Sequence, residues 1–142
     1  MCGIAGEVAR GRSADLSAIA RMAESMVPRG PDSGGFWAQD GIAFGHRRLA
    51  IIDLSSHGQQ PMHDPDLGLT VAFNGCIYNY PQLRQELIGK GYRFFSHSDT
   101  EVVLKGYREW GERVVEHLYG MFAFAITEVD SGRVLLARDR LG

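Results

Sequence analysis

The sequence predicts an α+β fold in which two stacked, mainly antiparallel sheets lie between outer layers of helices. Segments with the alternating pattern of strands are interspersed with segments of helical periodicity along the 142 residues. The two strands predicted near the C-terminus, 119–127 and 133–138, are apolar on both faces, so each face must be covered. A second sheet on one face and helices outside satisfy that requirement.

The N-terminal half is predicted to contain three strands and one helix. The strands are expected over residues 3–8, 35–38 and 42–52, the last of them long and followed by Asp53. The helix is expected to be capped by Ser13 and to end before Pro28. Residues 55–68 are predicted to form one loop, and a loop of this length is usually functional or mobile.

A short strand over residues 69–73 is predicted to lead into Asn74-Gly75, a dipeptide that is common in tight turns. Pro81 then lies in the first turn of a helix, where its missing N–H costs nothing. The residues of this helix expected to face inward are Leu83, Leu87 and Ile88.

A further strand is predicted over residues 92–95, and a second helix of this half follows it. Ser98 is expected to cap that helix, with Glu101 reaching back to it as in a capping box. Gly111 is expected to end the helix. The chain then closes with a hairpin formed by the strands 119–127 and 133–138.

Composition excludes several classes of function. The chain is 44% hydrophobic and 23% charged with a net charge of −2, so no basic surface for nucleic acid is indicated. Its apolar runs are too short to span a membrane, and its N-terminus lacks the pattern of a signal peptide. Two cysteines suit a reducing compartment, which predicts a cytoplasmic protein, and the five histidines lack the spacing of metal ligands.

The second residue, Cys2, is the first candidate for chemistry. If Met1 is removed, Cys2 carries both a thiol and a free α-amine, whose usual pKa of about 7.7–8.0 allows it to accept a proton near neutral pH. A nucleophile and its general base would then come from one residue. The alternative is that Cys2 is only a small buried residue.

Several further motifs stand in order along the chain. They are Cys2-Gly3-Ile4-Ala5-Gly6, Arg29-Gly30-Pro31-Asp32, Gly45-His46-Arg47-Arg48-Leu49-Ala50-Ile51-Ile52-Asp53, Gln60-Pro61, Phe73-Asn74-Gly75, Ile77-Tyr78-Asn79-Tyr80, Ser98-Asp99-Thr100-Glu101, Gly120-Met121-Phe122-Ala123-Phe124 and Arg138-Asp139-Arg140-Leu141-Gly142. Together they resemble the glutaminase domain of class II glutamine amidotransferases, and most of all the asparagine synthetase group. The resemblance covers residues 1–142 and implies the four-layer αββα sandwich of N-terminal-nucleophile (Ntn) hydrolases.

The resemblance implies that Cys2 attacks the side-chain amide of glutamine and releases ammonia, leaving glutamate. It assigns the oxyanion hole to the side-chain amide of Asn74 and the backbone N–H of Gly75. Fixed donors of this kind stabilise the negative oxygen of the transition state. The alternative for Asn74-Gly75 is an ordinary hairpin turn.

The same resemblance assigns the two ends of the substrate. Arg48 would bind the α-carboxylate, and Asp99 the α-ammonium group. The alternatives are a surface arginine on a strand for Arg48, and an acid favoured by the helix dipole for Asp99. Three apolar residues either line this pocket or pack in the core: Leu49, Ile51 and Ile52.

Position 76 departs from the asparagine synthetase pattern, in which a glutamate follows Asn-Gly and contacts the substrate ammonium. This chain has Cys76 there. A charge-assisted hydrogen bond contributes about 1.5–3 kcal/mol, so its loss predicts glutamine binding weaker by roughly tenfold to a hundredfold. The cysteine is similar to that of enzymes that amidate N-acetylglutaminylglutamine. A disulfide with Cys2 is the other reading, and a reducing cytoplasm disfavours it.

Four other motif residues are open to structural interpretations. His46 and Tyr78 are interpreted as packing groups rather than acid–base catalysts. Arg29 and Asp32 either order the loop over the pocket or form an ion pair within their turn.

The resemblance implies a partner domain that these 142 residues do not contain, an ATP-dependent synthetase following residue 142. ATP and Mg²⁺ are expected only there, and residues 1–142 are expected to form one glutaminase domain without a cofactor. Its expected partners are L-glutamine and its own synthetase domain, and a homo-oligomer is compatible with the sequence. Two alternatives are an Ntn hydrolase that cleaves another amide, and a catalytically weakened domain that senses glutamine or acts as a scaffold.

Overall fold

The computed structural model describes all 142 residues, which form seven strands and four α-helices. The strands are β1 (Gly3–Val8), β2 (Ser33–Gln39), β3 (Ile42–Arg48), β4 (Met62–Asp64), β5 (Leu69–Ile77), β6 (Gly120–Glu128) and β7 (Val134–Arg138). The α-helices are α1 (Leu16–Ser25), α2 (Tyr80–Gly89), α3 (Asp99–Trp110) and the single turn α4 (Val114–His117), and short 3₁₀ turns cover Ser56–Gly58 and Gly111–Arg113. None of the helices has the length and apolar character needed to cross a membrane.

The strands form two antiparallel sheets, as predicted. One sheet has the order β1-β3-β2 and the other β4-β5-β6-β7. Helix α1 packs on β1 and β3, whereas α3 packs on β5 with α2 beside it. Strands β1 and β3 contact β5 from the other sheet. The layers therefore run helix, sheet, sheet, helix.

Strand β5 divides its side chains between two cores. Val71, Phe73 and Ile77 pack with residues of α2 and α3, whereas Ala72 packs with Phe44 between the sheets. Successive side chains of a strand point to opposite faces. The side chains of residues 74 and 76 therefore face the space between the sheets, on the same side as Ala72.

His46 on β3 joins the two sheets. It is fully buried, and its Nε2 lies 2.9 Å from the carbonyl oxygen of Phe73 on β5. Burial lowers the pKa of His46 to about 4, so the ring is neutral at pH 7 and Nε2–H donates to Phe73. This geometry agrees with the interpretation of His46 as a packing group.

The first helix begins later than predicted. Asp15, not Ser13, is its N-cap, because the Asp15 carboxylate accepts hydrogen bonds from the N–H groups of Ser17 and Ala18. The residues predicted to form one loop, 55–68, instead contain the 3₁₀ turn Ser56–Gly58 and strand β4.

Strand β3 ends at Arg48 rather than continuing to residue 52. The next N–H groups leave the sheet for side chains: Leu49 N–H donates to Cys2 Sγ at 3.3 Å, and Ala50 N–H donates to Asp32 Oδ2 at 2.8 Å. The apolar stretch that follows Arg48 is therefore a loop, and it turns at Asp53, which has a φ of +54°.

The turn predicted at Asn74-Gly75 is wrong. Strand β5 continues through both residues to Ile77, and they pair with Ala123 and Phe122 of β6. The nine-residue partner strand supplies a long-range ladder that overrides the local turn preference.

Three smaller predictions around α2 and α3 are also wrong. Residues 92–95 form no strand, and Ile88 is 44% exposed rather than inward. Ser98 caps α3 as predicted, but Glu101 does not reach back to it; the Glu101 carboxylate accepts from the N–H groups of Phe95 and Ser96. Gly111 ends α3 as predicted, with a φ of +60°, and β6 and β7 form the predicted hairpin.

Candidate functional site

A cavity of about 250 Å³ opens at one end of the space between the two sheets. The structure brings every predicted site residue to its wall: Cys2, Arg48, Leu49, Ile51, Ile52, Asn74, Gly75, Cys76 and Asp99. They come from the residue before β1, the end of β3 and its following loop, β5 and the start of α3. Residues separated by up to 97 positions in the sequence therefore share one cavity.

Cys2 is held at the start of β1, where the sulfur is fixed by the loop after β3. Its Sγ lies 3.3 Å from Leu49 N and 3.6 Å from Leu49 O, and Arg29 Nε donates to the Cys2 carbonyl at 3.2 Å. The thiol is not in a disulfide. Met1 is 54% exposed and also lines the cavity. While Met1 is present, the nitrogen of Cys2 belongs to a peptide bond and is not a free amine.

Arg29 and Asp32 do not form an ion pair with each other. Arg29 holds the Cys2 carbonyl, and Asp32 holds the N–H of Ala50. Of the two readings of these residues, the structure therefore favours the one in which they order the segments around the cavity.

Gly75 presents an unpaired backbone N–H at the cavity wall. At the two ends of the β5–β6 ladder, Val129 N–H donates to Gly68 O and Tyr78 N–H donates to Tyr119 O. Because hydrogen-bonded positions alternate along an antiparallel pair, the even-numbered residues of β5 are the ones that bond to β6. The odd-numbered N–H groups point away from β6, and β4 pairs with residues 69–71 of β5 only, so it does not reach Gly75.

Side chains bind the odd-numbered N–H groups on either side of Gly75. Phe73 N–H donates to Gln60 Oε1 at 2.7 Å, and Ile77 N–H donates to Asp99 Oδ2 at 3.0 Å. Gly75 N–H has no such acceptor. A Cβ at this position would lie 2.3 Å from the carbonyl oxygen of Met121, so only glycine allows this approach of β5 to β6.

Asn74 extends its side chain toward the same cavity. Its Oδ1 is buried and has no hydrogen-bond partner. A buried polar group without a partner is rare in native structures, and at a cavity wall it makes this side chain a candidate for contact with a ligand. The Asn74 amide and the Gly75 N–H together give the cavity two adjacent polar groups that the fold itself leaves unused.

Asp99 and Cys76 form another part of the wall. Asp99 is 4% exposed, and burial raises the pKa of its carboxyl, against hydrogen bonds from backbone N–H groups that lower it. The pKa of the Cys76 thiol is also raised, first by burial and second by the negative charge of Asp99. Cys76 is therefore a neutral thiol, and Asp99 supplies the negative charge of this region.

Arg48 is buried rather than a surface arginine, and its guanidinium is engaged by the loop that follows β3. Nη1 donates to Ser55 O at 3.0 Å, while Nη2 donates to the carbonyls of Ile52 and Asp53. A bidentate contact to a carboxylate uses either the Nη1 and Nη2 edge or the Nε and Nη2 edge of the guanidinium, and both edges need a free hydrogen on Nη2. The two carbonyls already accept from Nη2. A contact of Arg48 with both oxygens of a carboxylate would therefore require part of this loop to release its guanidinium.

Several other residues line the wall although the sequence does not identify them as site residues. They are Met1, Gly58, Gln60, Phe73, Ser98, Thr100 and Met121. The Gln60-Pro61 motif was the available signal for Gln60, but nothing in the sequence indicated what its side chain would contact.

Comparisons with known proteins point to one family. A family model described as a glutamine amidotransferase domain matches residues 1–142. Asparagine synthetase [glutamine-hydrolyzing] 3 of Bacillus subtilis (strain 168) is 41% identical over 146 residues, which cover 100% of this chain and 24% of that protein. Asparagine synthetase B [glutamine-hydrolyzing] of Escherichia coli (strain K12) is 41% identical over 117 residues, covering 82% of this chain and 21% of that protein.

A solved structure of glutamine phosphoribosylpyrophosphate amidotransferase from B. subtilis, complexed with ADP and GMP, superposes with a TM-score of 0.59 and 27% identity. The match covers 72% of this chain and 24% of that one. The chain thus spans about a quarter of the length of the relatives it resembles.

Proposed function

Since the chain belongs to the glutamine amidotransferase domain family over residues 1–142, we propose that its cavity hydrolyses the side-chain amide of glutamine. The helix–sheet–sheet–helix layers and the likeness to a solved amidotransferase agree on the Ntn hydrolase fold. The products are glutamate and ammonia. The observation that carries the proposal is the unpaired Gly75 N–H in the wall that also holds Cys2.

Cys2 is the proposed nucleophile. Its thiolate attacks the amide carbon, ammonia leaves with a proton from the enzyme, and water then cleaves the thioester to release glutamate. The α-amine of Cys2 is the proposed base and later acid, and it becomes free only when the peptide bond to Met1 is cut. Arg29 and Leu49 support this role by fixing the carbonyl and the sulfur of Cys2.

Asn74 and Gly75 are the proposed oxyanion hole. The negative oxygen of the tetrahedral intermediate needs donors that are already in place, because reorganising them during the reaction would raise the barrier. Gly75 N–H meets this requirement because the strand leaves it without an acceptor. The removal of one such donor lowers turnover by about 10²–10³ in enzymes of this kind.

Asp99 is the proposed binder of the substrate α-ammonium, because it carries the negative charge of that part of the wall. Arg48 is the proposed binder of the α-carboxylate, once part of the loop that follows β3 releases its guanidinium. Leu49, Ile51, Ile52 and Cys76 complete the wall around the substrate.

The function of the whole protein is a wider proposal. Relatives that are about four times as long carry the name of glutamine-hydrolysing asparagine synthetases. We infer that ammonia released here amidates a carboxylate in a synthetase domain that uses ATP and Mg²⁺, in a cytoplasmic protein. The branch that amidates N-acetylglutaminylglutamine stays a prediction that rests on Cys76.

Alkylation by a diazo-ketone analogue of glutamine tests the proposal. Protein without Met1 should acquire one adduct, located on Cys2 by mass spectrometry, and glutamine should protect it. The variant Cys2→Ala should acquire none, whereas Cys76→Ala, the matched control with the other thiol removed, should be labelled as wild type is. Labelling of Cys76 alone would contradict the proposal. A protein that glutamine stabilises against heat but that forms no glutamate would instead support the sensing alternative.

A further inference from the structure

Gln60 lines the cavity and uses both ends of its side-chain amide in hydrogen bonds. It is 5% exposed. Its Oε1 accepts from Phe73 N–H at 2.7 Å, and its Nε2 donates to Thr100 Oγ1 at 3.3 Å. One contact therefore reaches β5 and the other reaches the first turn of α3.

Both contacts end one residue away from groups of the proposed reaction. Phe73 immediately precedes Asn74, and Thr100 immediately follows Asp99. On the basis of the proposed function, we infer that Gln60 is a positioning residue, which sets the oxyanion strand and the ammonium-binding helix at a fixed separation. The substrate spans that separation, with its amide at one end and its ammonium group at the other.

The surroundings of Gln60 suit such a role. His46 holds the carbonyl of Phe73, so the Gln60 and His46 side chains fix both polar atoms of one residue of β5. The backbone of Gln60 is itself wedged against β2, because a Cβ on Gly35 would lie 2.3 Å from the Gln60 carbonyl oxygen. The side-chain amide of Gln60 is therefore attached to a backbone segment that is packed closely against β2.

The two contacts predict separate kinetic effects. Loss of the Phe73 contact leaves a buried N–H unpaired beside Asn74 and lets the oxyanion donors drift, which slows the chemical step. A misplacement of about 1 Å can cost roughly a hundredfold in rate. Loss of the Thr100 contact affects the start of α3 and hence the binding of the ammonium group, which raises KM.

Three variants separate these effects in steady-state hydrolysis of glutamine. Gln60→Met keeps the length of the side chain and removes both contacts; we expect kcat to fall by roughly tenfold to a hundredfold and KM to rise. Thr100→Val keeps the shape of the partner and removes one contact; we expect KM to rise with kcat unchanged. Gln59→Met is the matched control, since Gln59 is exposed and lies outside the cavity, and it should behave as wild type.

Active sites are counted by alkylation of Cys2, so that kcat refers only to folded, reactive protein. Kinetics of Gln60→Met that match those of Gln59→Met would overturn the inference, as would a fall in kcat with an unchanged KM in Thr100→Val. Should Gln60→Met not fold, Thr100→Val still gives a decisive result. A wild-type protein that forms no glutamate would refute the proposed function instead, which is a separate outcome.

Discussion

The charge of Asp99 offers a perturbation whose effects on binding and on stability have opposite signs. The substitution Asp99→Asn removes the negative charge but keeps an oxygen that can accept from Ile77 N–H, a contact of 3.0 Å that joins β5 to α3. The backbone around the cavity should therefore keep its arrangement. The free thiol of Cys76 cannot replace the charge, because its pKa is raised and it stays neutral.

The expected loss of binding follows from one charge-assisted hydrogen bond. Such a bond contributes about 1.5–3 kcal/mol, which corresponds to roughly a tenfold to hundredfold rise in KM for glutamine. The value of kcat should change little, because the ammonium group is remote from the reacting amide. Wild type should also prefer glutamine over the analogue that lacks the α-amino group, and Asp99→Asn should lose most of that preference.

Stability should respond in the other direction. Because burial raises the pKa of Asp99, the folded state binds the proton more tightly than the unfolded state does. The contribution of Asp99 to stability is therefore lost as the pH rises from the usual range of an aspartate through the raised pKa. Because ionisation of the buried carboxyl costs stability, Asp99→Asn should melt no lower than wild type.

Steady-state kinetics with the two substrates and a thermal melt at pH 7 measure these effects. Asp15→Asn is the control, because it removes an acid of the same type from the cap of α1 and asparagine caps a helix equally well. An unchanged KM together with an unchanged substrate preference in Asp99→Asn would refute the role of Asp99. A lower melting temperature would refute the electrostatic reasoning.

Two further substitutions test the strand and the sheet contact. Gly75→Ala places a Cβ 2.3 Å from Met121 O, so β5 and β6 must separate. We expect the melting temperature to fall and kcat to be lower by about 10²–10³. Wild-type kinetics would contradict this expectation. Burial lowers the pKa of His46 to about 4. The stability that the neutral ring provides is therefore present above about pH 6.5 and is lost as the pH falls toward 4. The loss amounts to about 3 kcal/mol at most. In urea unfolding from pH 7 to 4, His46→Gln should lack this loss, and profiles parallel to wild type would contradict the assignment.

The strands and helices whose signals are local were predictable from the sequence. β1 and the hairpin of β6 and β7 follow from short strand-like segments, and the cap at Ser98 and the end at Gly111 follow from residue type. The errors occur where a distant residue takes a backbone hydrogen bond. β3 ends because Cys2 and Asp32 bind the next two N–H groups, and Glu101 is drawn to Phe95 and Ser96 instead of its own helix cap.

The members of the site could be predicted, but not how they are held. Motif order grouped Cys2, Asn74 and Asp99, and all three line one cavity. Whether Gly75 N–H is free depends on which residues of β5, odd or even, form hydrogen bonds with β6. The contacts of Gln60 and Arg48 are with residues brought close by loops. Such features arise from tertiary packing, which a single sequence does not display.

A crystal structure of the protein without Met1, alkylated on Cys2 by the diazo-ketone analogue of glutamine, tests the central claim most directly. The ketone oxygen of the adduct takes the position of the oxyanion. The account predicts that this oxygen lies about 2.7–3.1 Å from both Gly75 N and Asn74 Nδ2, with the ammonium group of the adduct on Asp99. A ketone oxygen turned away from β5, or a Gly75 N–H bonded to another group of the protein, would contradict it.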